Sequence, residues 1–176
     1  MDILLIILAI LIILGGIIYV TYIYTSNKYQ DITLRIEEVE ELIDDTIKAK
    51  YNTINQVISQ IHKIDEDIKG HIFDEIVKLR SRKISNYELD KKIKNAYTEL
   101  ETIKDNNDKL KDDKDIKKSI KELKEYDKKL TTLHKYHDTN VEIYNEMLEK
   151  FPTNIIANIN KYKPKDLYNK EETINE

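Results

Sequence analysis

From Ile3 to Tyr24 the chain carries no charged residue, only Ile, Leu, Val, Ala, Gly, Tyr and one Thr. At ~1.5 Å rise per residue, a helix of that length spans roughly 33 Å, enough to cross a ~30 Å hydrocarbon core with little tilt. A backbone inside a bilayer must satisfy its own hydrogen bonds, so a spanning helix is the state such a run adopts there. Residues 1–25 are therefore expected to be a transmembrane anchor, and the lipid bilayer the partner of residues 3–24.

A cleaved signal peptide is the competing reading of such a run. It would have a basic start, an apolar core of only ~7–15 residues and a small-residue cleavage site. Here Met1 and Asp2 supply no Lys or Arg, and Tyr19, Tyr22 and Tyr24 stand where cleavage would fall. Those tyrosines suit the aromatic belt of a membrane interface. The chain has no cysteine, so it has no lipid-attachment cysteine either. Lys28 and Arg35 follow the run, while Asp2 opposes the α-amine before it. Positive charge favours the cytoplasmic side, which predicts an outside N-terminus and a cytoplasmic domain. The expected location is a bacterial plasma membrane, crossed once.

Residues 26–176 are expected to form one domain of ~150 residues. Three glycines and two prolines in the whole chain, with 35% charged residues, indicate long helices rather than sheets. A net charge of −4 gives no case for nucleic-acid binding. Three helical stretches follow the anchor. The first runs from about Asp31 to Ile68, with Ile32, Ile36, Val39, Ile43, Ile47, Ile54, Ile58, Ile61 and Ile68 at helical spacing. Nothing breaks it back to Gly16, so it is expected to continue the anchor as one rod. Gly70 marks the break to a second stretch, His71 to Lys104, on which Ile72, Ile76, Leu79, Ile93, Tyr97, Leu100 and Ile103 share a face. Asp105-Asn106-Asn107-Asp108 is expected to end it in a turn. The third runs from Asp115, the expected N-cap, to Lys150, with Ile116, Ile120, Leu123, Leu130, His137, Val141, Tyr144, Leu148 and Phe151 as its apolar line. Near-equal lengths predict an antiparallel bundle with short turns.

Charge offers a second hint of pairing. Residues 31–50 carry seven acids against Arg35, Lys48 and Lys50, and residues 109–129 carry nine lysines against six acids. Exposed pairs are worth only ~0–1 kcal/mol, so most of these groups are read as solvated faces. Beyond Lys150 the helical pattern breaks. Pro152 disfavours helix at Phe151 and can start a new helix, expected from Thr153 to about Asn160 and folded back on the bundle. Tyr162, Leu167 and Tyr168 would cover its end, and Phe151 with Pro152 would close the bundle.

The C-terminal residues carry a resemblance. Tyr144-Asn145, then Phe151-Pro152-Thr153-Asn154-Ile155-Ile156-Ala157, then Tyr162-Lys163-Pro164-Lys165 and Tyr168 resemble the signature of the LemA family. The signature residues are thus Tyr144, Asn145, Phe151, Pro152, Asn154, Ile155, Ala157, Tyr162, Pro164 and Tyr168. The resemblance implies an all-α fold: one N-terminal transmembrane helix, then an antiparallel bundle of three long helices with a short C-terminal helix packed on it. It implies an extracytoplasmic N-terminus and a cytoplasmic domain, and no particular reaction. Asn52-Thr53-Ile54-Asn55-Gln56-Val57-Ile58 departs from the family's Asp-Leu-Ile-Pro-Asn-Leu-Val. Asp127-Lys128-Lys129 and His134-Lys135 stand where Thr-Glu-Asn and Ala-Arg are expected, which marks a divergent member.

No catalytic constellation accompanies these features. Di-iron bundles need Glu-x-x-His, and no Glu stands three residues before His62, His71, His134 or His137. There is no cysteine nucleophile, G-x-S-x-G, Walker loop or H-E-x-x-H. The chain is expected to have no catalytic, cofactor or metal site and no small-molecule substrate. Two non-enzymatic readings stay open: a LemA-type membrane-anchored scaffold or adaptor for an unidentified protein partner, and a membrane-tethered coiled-coil or spectrin-like strut of division or fusion machinery. A strut needs no Phe-Pro break and no apolar foldback, whereas a closed bundle does.

Overall fold

The computed structural model describes residues 2–65, 68, 76 and 86–168. Among them the chain is all-α: α1 (Asp2–Ile64), α2 (Asn86–Asp105), α3 (Asp108–Lys111), α4 (Lys114–Glu149) and α5 (Thr153–Asn160). The apolar run and the first amphipathic stretch form one helix of 63 residues. No proline interrupts that run, and its two glycines stand together at Gly15 and Gly16. The helix ends at Ile64 rather than Ile68; Gly70 and residues 71–75 and 77–85 lie outside the described residues, which take in only position 76 from the start of the second stretch. Of that part, Ile76 is buried.

The chain divides into two units, Met1–Val39 with Tyr136–Glu176, and Glu40–Lys135. In the first unit, α1 contributes Tyr29, Ile32 and Ile36 to a core with Val141, Tyr144 and Met147 of α4 and Ala157 of α5. Leu148, Tyr162 and Leu167 pack on its edge. Upstream of this core, the large apolar side chains from Ile3 to Tyr24 are all exposed. In the second unit α1 buries Ile43, Ile47, Ile54, Val57, Ile58 and Ile61, α2 buries Ile93, Ala96 and Leu100, and α4 buries Ile116, Ile120, Leu123 and Leu130. Each full burial of such a side chain contributes ~1.5–3 kcal/mol. Lys50 meets Asp127, and Ser119 donates to Gln60 at 3.4 Å. Ten steps up α1 are thus answered by eight down α4, so the two run antiparallel there.

Local chemistry sets the helix ends. The expected turn at Asp105–Asp108 is shorter than its polar composition suggests, because Asn107 caps a new turn of helix. Its side chain accepts from the Lys109 amide at 3.0 Å, and α3 then buries Leu110. The N-cap of α4 is Asp113, not Asp115. The Asp113 carboxylate accepts from the amides of Asp115 at 2.9 Å and Ile116 at 2.8 Å, which leaves Asp115 inside the first turn. Helix α5 spans the expected residues and ends in a Schellman pattern. Lys161 takes left-handed backbone (φ 56), its amide reaches Asn158 O at 3.3 Å and that of Tyr162 reaches Ala157 O at 3.0 Å.

Phe151 corrects the expectation that it closes the bundle: its side chain is 79% exposed. Helix α4 stops at Glu149, so Phe151 stands in the Phe151-Pro152 turn and has left the helical register that predicts its burial. The peptide bond between the two is cis.

Candidate functional site

The C-terminal signature assembles around Tyr29, five residues beyond Tyr24. The Tyr29 hydroxyl lies 2.6 Å from Met147 O, at the end of α4, and 3.4 Å from Thr153 O, at the start of α5. Its ring meets Tyr144 edge-on at 5.7 Å and Tyr162 tilted at 4.8 Å. Thr153 donates to the same Met147 carbonyl at 2.6 Å. One α1 side chain therefore holds the α4–α5 corner through both bonds and ring contacts. Burial raises the Tyr29 phenol above its ordinary pKa against the lowering effect of Thr153, and Tyr144 and Tyr162 add to the rise. Burial likewise raises Tyr144, with Tyr162 adding to it.

Two further clamps order the segment after α5. The Asn145 amide donates to Lys165 O at 2.8 Å and its oxygen accepts from the Lys165 amide at 2.9 Å. That reciprocal pair matches a backbone peptide and needs both ends of a carboxamide. The Lys165 ammonium then stands 5.8 Å from the Tyr144 ring centroid. The Tyr168 amide donates to the Asp138 carboxylate at 2.7 Å, and the Tyr168 ring meets buried His137 edge-on at 6.3 Å.

Tyr144, Ala157 and Tyr162 are thus brought together, while Asn145 and Tyr168 fasten the segment after α5 to α4. The other signature positions are placed differently. Phe151, Pro152, Pro164 and Ile155 are exposed, and Asn154 is half-buried with its side-chain oxygen unpartnered among the described residues. Tyr29 is the residue that signature-based reading omits. Its signal is its register, since Tyr29, Ile32 and Ile36 are three and four apart.

The second unit holds a different constellation. Lys50 is 1% exposed. Its ammonium lies 3.1 Å from Asp90 on α2 and pairs closely with Asp127 on α4. One buried cation thereby joins three helices. Register carried this signal too: Lys50 stands between Ile47 and Ile54, and Asp127 between Leu123 and Leu130, on core faces. A census that counts charges by segment treats Lys50 and Asp127 as surface.

These arrangements position backbone and hold helices together. Among the described residues no group of three or more His, Asp or Glu is placed to hold a metal ion. A model of the LemA family matches residues 35–176. No curated protein and no solved structure matches the chain. The matched span is well over half of the sequence and contains both the Lys50 cluster and the C-terminal clamps: the chain belongs to the LemA family.

Proposed function

We propose that this LemA-family protein is a non-enzymatic, membrane-anchored scaffold that presents a closed helical bundle to a protein partner. Residues 3–24 cross a bacterial plasma membrane, with the N-terminus outside and the bundle in the cytoplasm. The bundle has three long antiparallel helices with α5 folded onto it. The single observation that carries this reading is the continuity of α1. The helix that exposes an uncharged face from Ile3 to Tyr24 buries Tyr29, Ile32 and Ile36 a few residues later, without a break. Its apolar part is long enough to span, and that window is 0% buried within the protein. The apolar run and the first strip of core then lie on one helix, as suits a protein that holds a partner at a set place on a membrane. Burial of Ile156 and Ala157 supports a closed bundle over an open strut.

Alkaline carbonate extraction and thiol labelling test the reading together. Because the chain lacks cysteine, Lys118→Cys introduces one exposed thiol. The protein should resist extraction, and an impermeant maleimide should label it only after lysis. Labelling in intact cells would reverse the orientation, and release by carbonate would remove the anchor. The mass of the full chain in detergent should be that of a monomer; an elongated dimer would restore the strut.

A further inference from the structure

We propose that α5 and the preceding turn form a second membrane contact, an apolar and basic face that lies against the anionic surface of the bilayer that residues 3–24 cross. The inference rests on that anchor reading. Ile155 is 48% exposed and Ile159 61%, four residues apart on one side of α5, while Ile156 and Ala157 are buried on the other. Phe151, in the turn before α5, is exposed as well. Two large apolar side chains in helical register and a third in the adjoining turn are thus left uncovered by the core.

Two observations identify lipid as what covers them. The first is continuity with the anchor. Tyr29 bonds the α4–α5 corner, and it lies five residues past Tyr24, which along a helix is ~7.5 Å. The headgroup layer on each side of a bilayer is of similar thickness, ~5–8 Å. The corner therefore stands at the outer edge of that layer, within a side chain's reach of the level where interfacial helices bury an apolar face. The second is charge. From Lys150 to Lys165 the chain has four lysines and no carboxylate. Lys161 and Lys163, directly after α5, are exposed. Apolar side chains toward the acyl boundary with ammonium groups beside them match an anionic phospholipid surface. Lys28, exposed on α1 near the same level, adds to the match.

The test uses the full chain in vesicles of phosphatidylcholine, with and without phosphatidylglycerol. Single-cysteine variants Ile155→Cys, Ile159→Cys, Tyr136→Cys and Ile12→Cys carry an environment-sensitive fluorophore, and spin-labelled lipid is the quencher. Labels at 155 and 159 should be quenched well above the label at 136, and more strongly with phosphatidylglycerol. Lys161→Gln with Lys163→Gln should lower the ratio of docked to undocked α5 by about 5-fold per lysine. Strong quenching at 12 with none above the 136 level at 155 and 159 would overturn the surface contact and leave the anchor intact. Absence of quenching at 12 would overturn the anchor and this inference with it. A blue shift at 155 and 159 that grows with protein-to-lipid ratio, without lipid quenching, would assign the face to a second copy and overturn the lipid assignment.

Discussion

Removing Lys50 and removing its two partners should have unequal costs. Lys50 is 1% exposed, whereas the side chains of Asp90 and Asp127 are 22% and 39% exposed. Lys50→Met keeps the unbranched stem in place and deletes the buried charge. The two carboxylates left behind retain part of their hydration, and like charges screened by water repel by only ~1 kcal/mol at contact distances. The expected loss is about 1–2 kcal/mol. Asp90→Asn with Asp127→Asn does the reverse and leaves a buried ammonium with no counter-charge. Breaking a buried pair in that way costs ~3–5 kcal/mol. The gap is then about 2 kcal/mol, or ~4–8 °C in melting temperature for a chain of this size. Thermal unfolding of the full chain in detergent, followed by helical circular dichroism, measures it. The triple variant should return close to Lys50→Met alone, because no charge is then stranded. If Lys50→Met is as damaging as the double asparagine variant, the assignment of the cost to the buried cation is wrong.

Phe151→Ala should change stability by less than ~0.5 kcal/mol because the ring is largely exposed, whereas Ile156→Ala should cost ~2–4 kcal/mol; paired melts of the two variants check both. Asn145→Ala should release the 162–168 segment, with a loss of ~1–3 kcal/mol for its unpaired peptide groups and faster hydrogen exchange at the Lys165 amide. The domain should lose stability in alkali. Burial raises Tyr29, Tyr144 and Tyr97, the last with help from Glu101, and Tyr126 is raised by its bond to Glu122 and then by burial. A phenol raised in the fold gives stability that is complete below its ordinary pKa of about 10 and disappears as pH climbs through the folded value. Tyr97→Phe should flatten that decline in a pH series of melts, and tyrosinate absorbance should appear later in the folded protein than in denaturant.

The long-range pattern was legible because helical spacing reports burial directly. Ile32 through Ile61 on α1 and Ile116 through Leu130 on α4 are core residues where the period places them. The continuous α1 followed from the lack of any breaker between Gly16 and Ile64. Three details were not legible, each for a local reason. Phe151 continues the period numerically, but the helix beneath it stops at Glu149. Either Asp113 or Asp115 fits as a cap by residue type, and only the bonds to two amides select Asp113. Lys50 and Asp127 lie on core faces, yet a charged residue in register is read as surface unless its partner is known, and the partner comes from another helix. The signature at the C-terminus contains Tyr144, Ala157 and Tyr162, which meet in one corner of the first unit. It omitted Tyr29, the α1 residue on which that corner closes, because a signature drawn from one end of a chain does not contain its distant contacts.

The Tyr29–Met147 bond joins residues 118 apart in sequence. At a translation rate of ~5–20 residues per second, Tyr29 leaves the ribosome roughly 6–24 s before the carbonyl it will bond. Throughout that interval Tyr29, Ile32 and Ile36 have no core to enter. A chain halted before residue 141 would keep this strip bare indefinitely, which gives quality-control proteases and chaperones a means of telling an unfinished copy from a finished one.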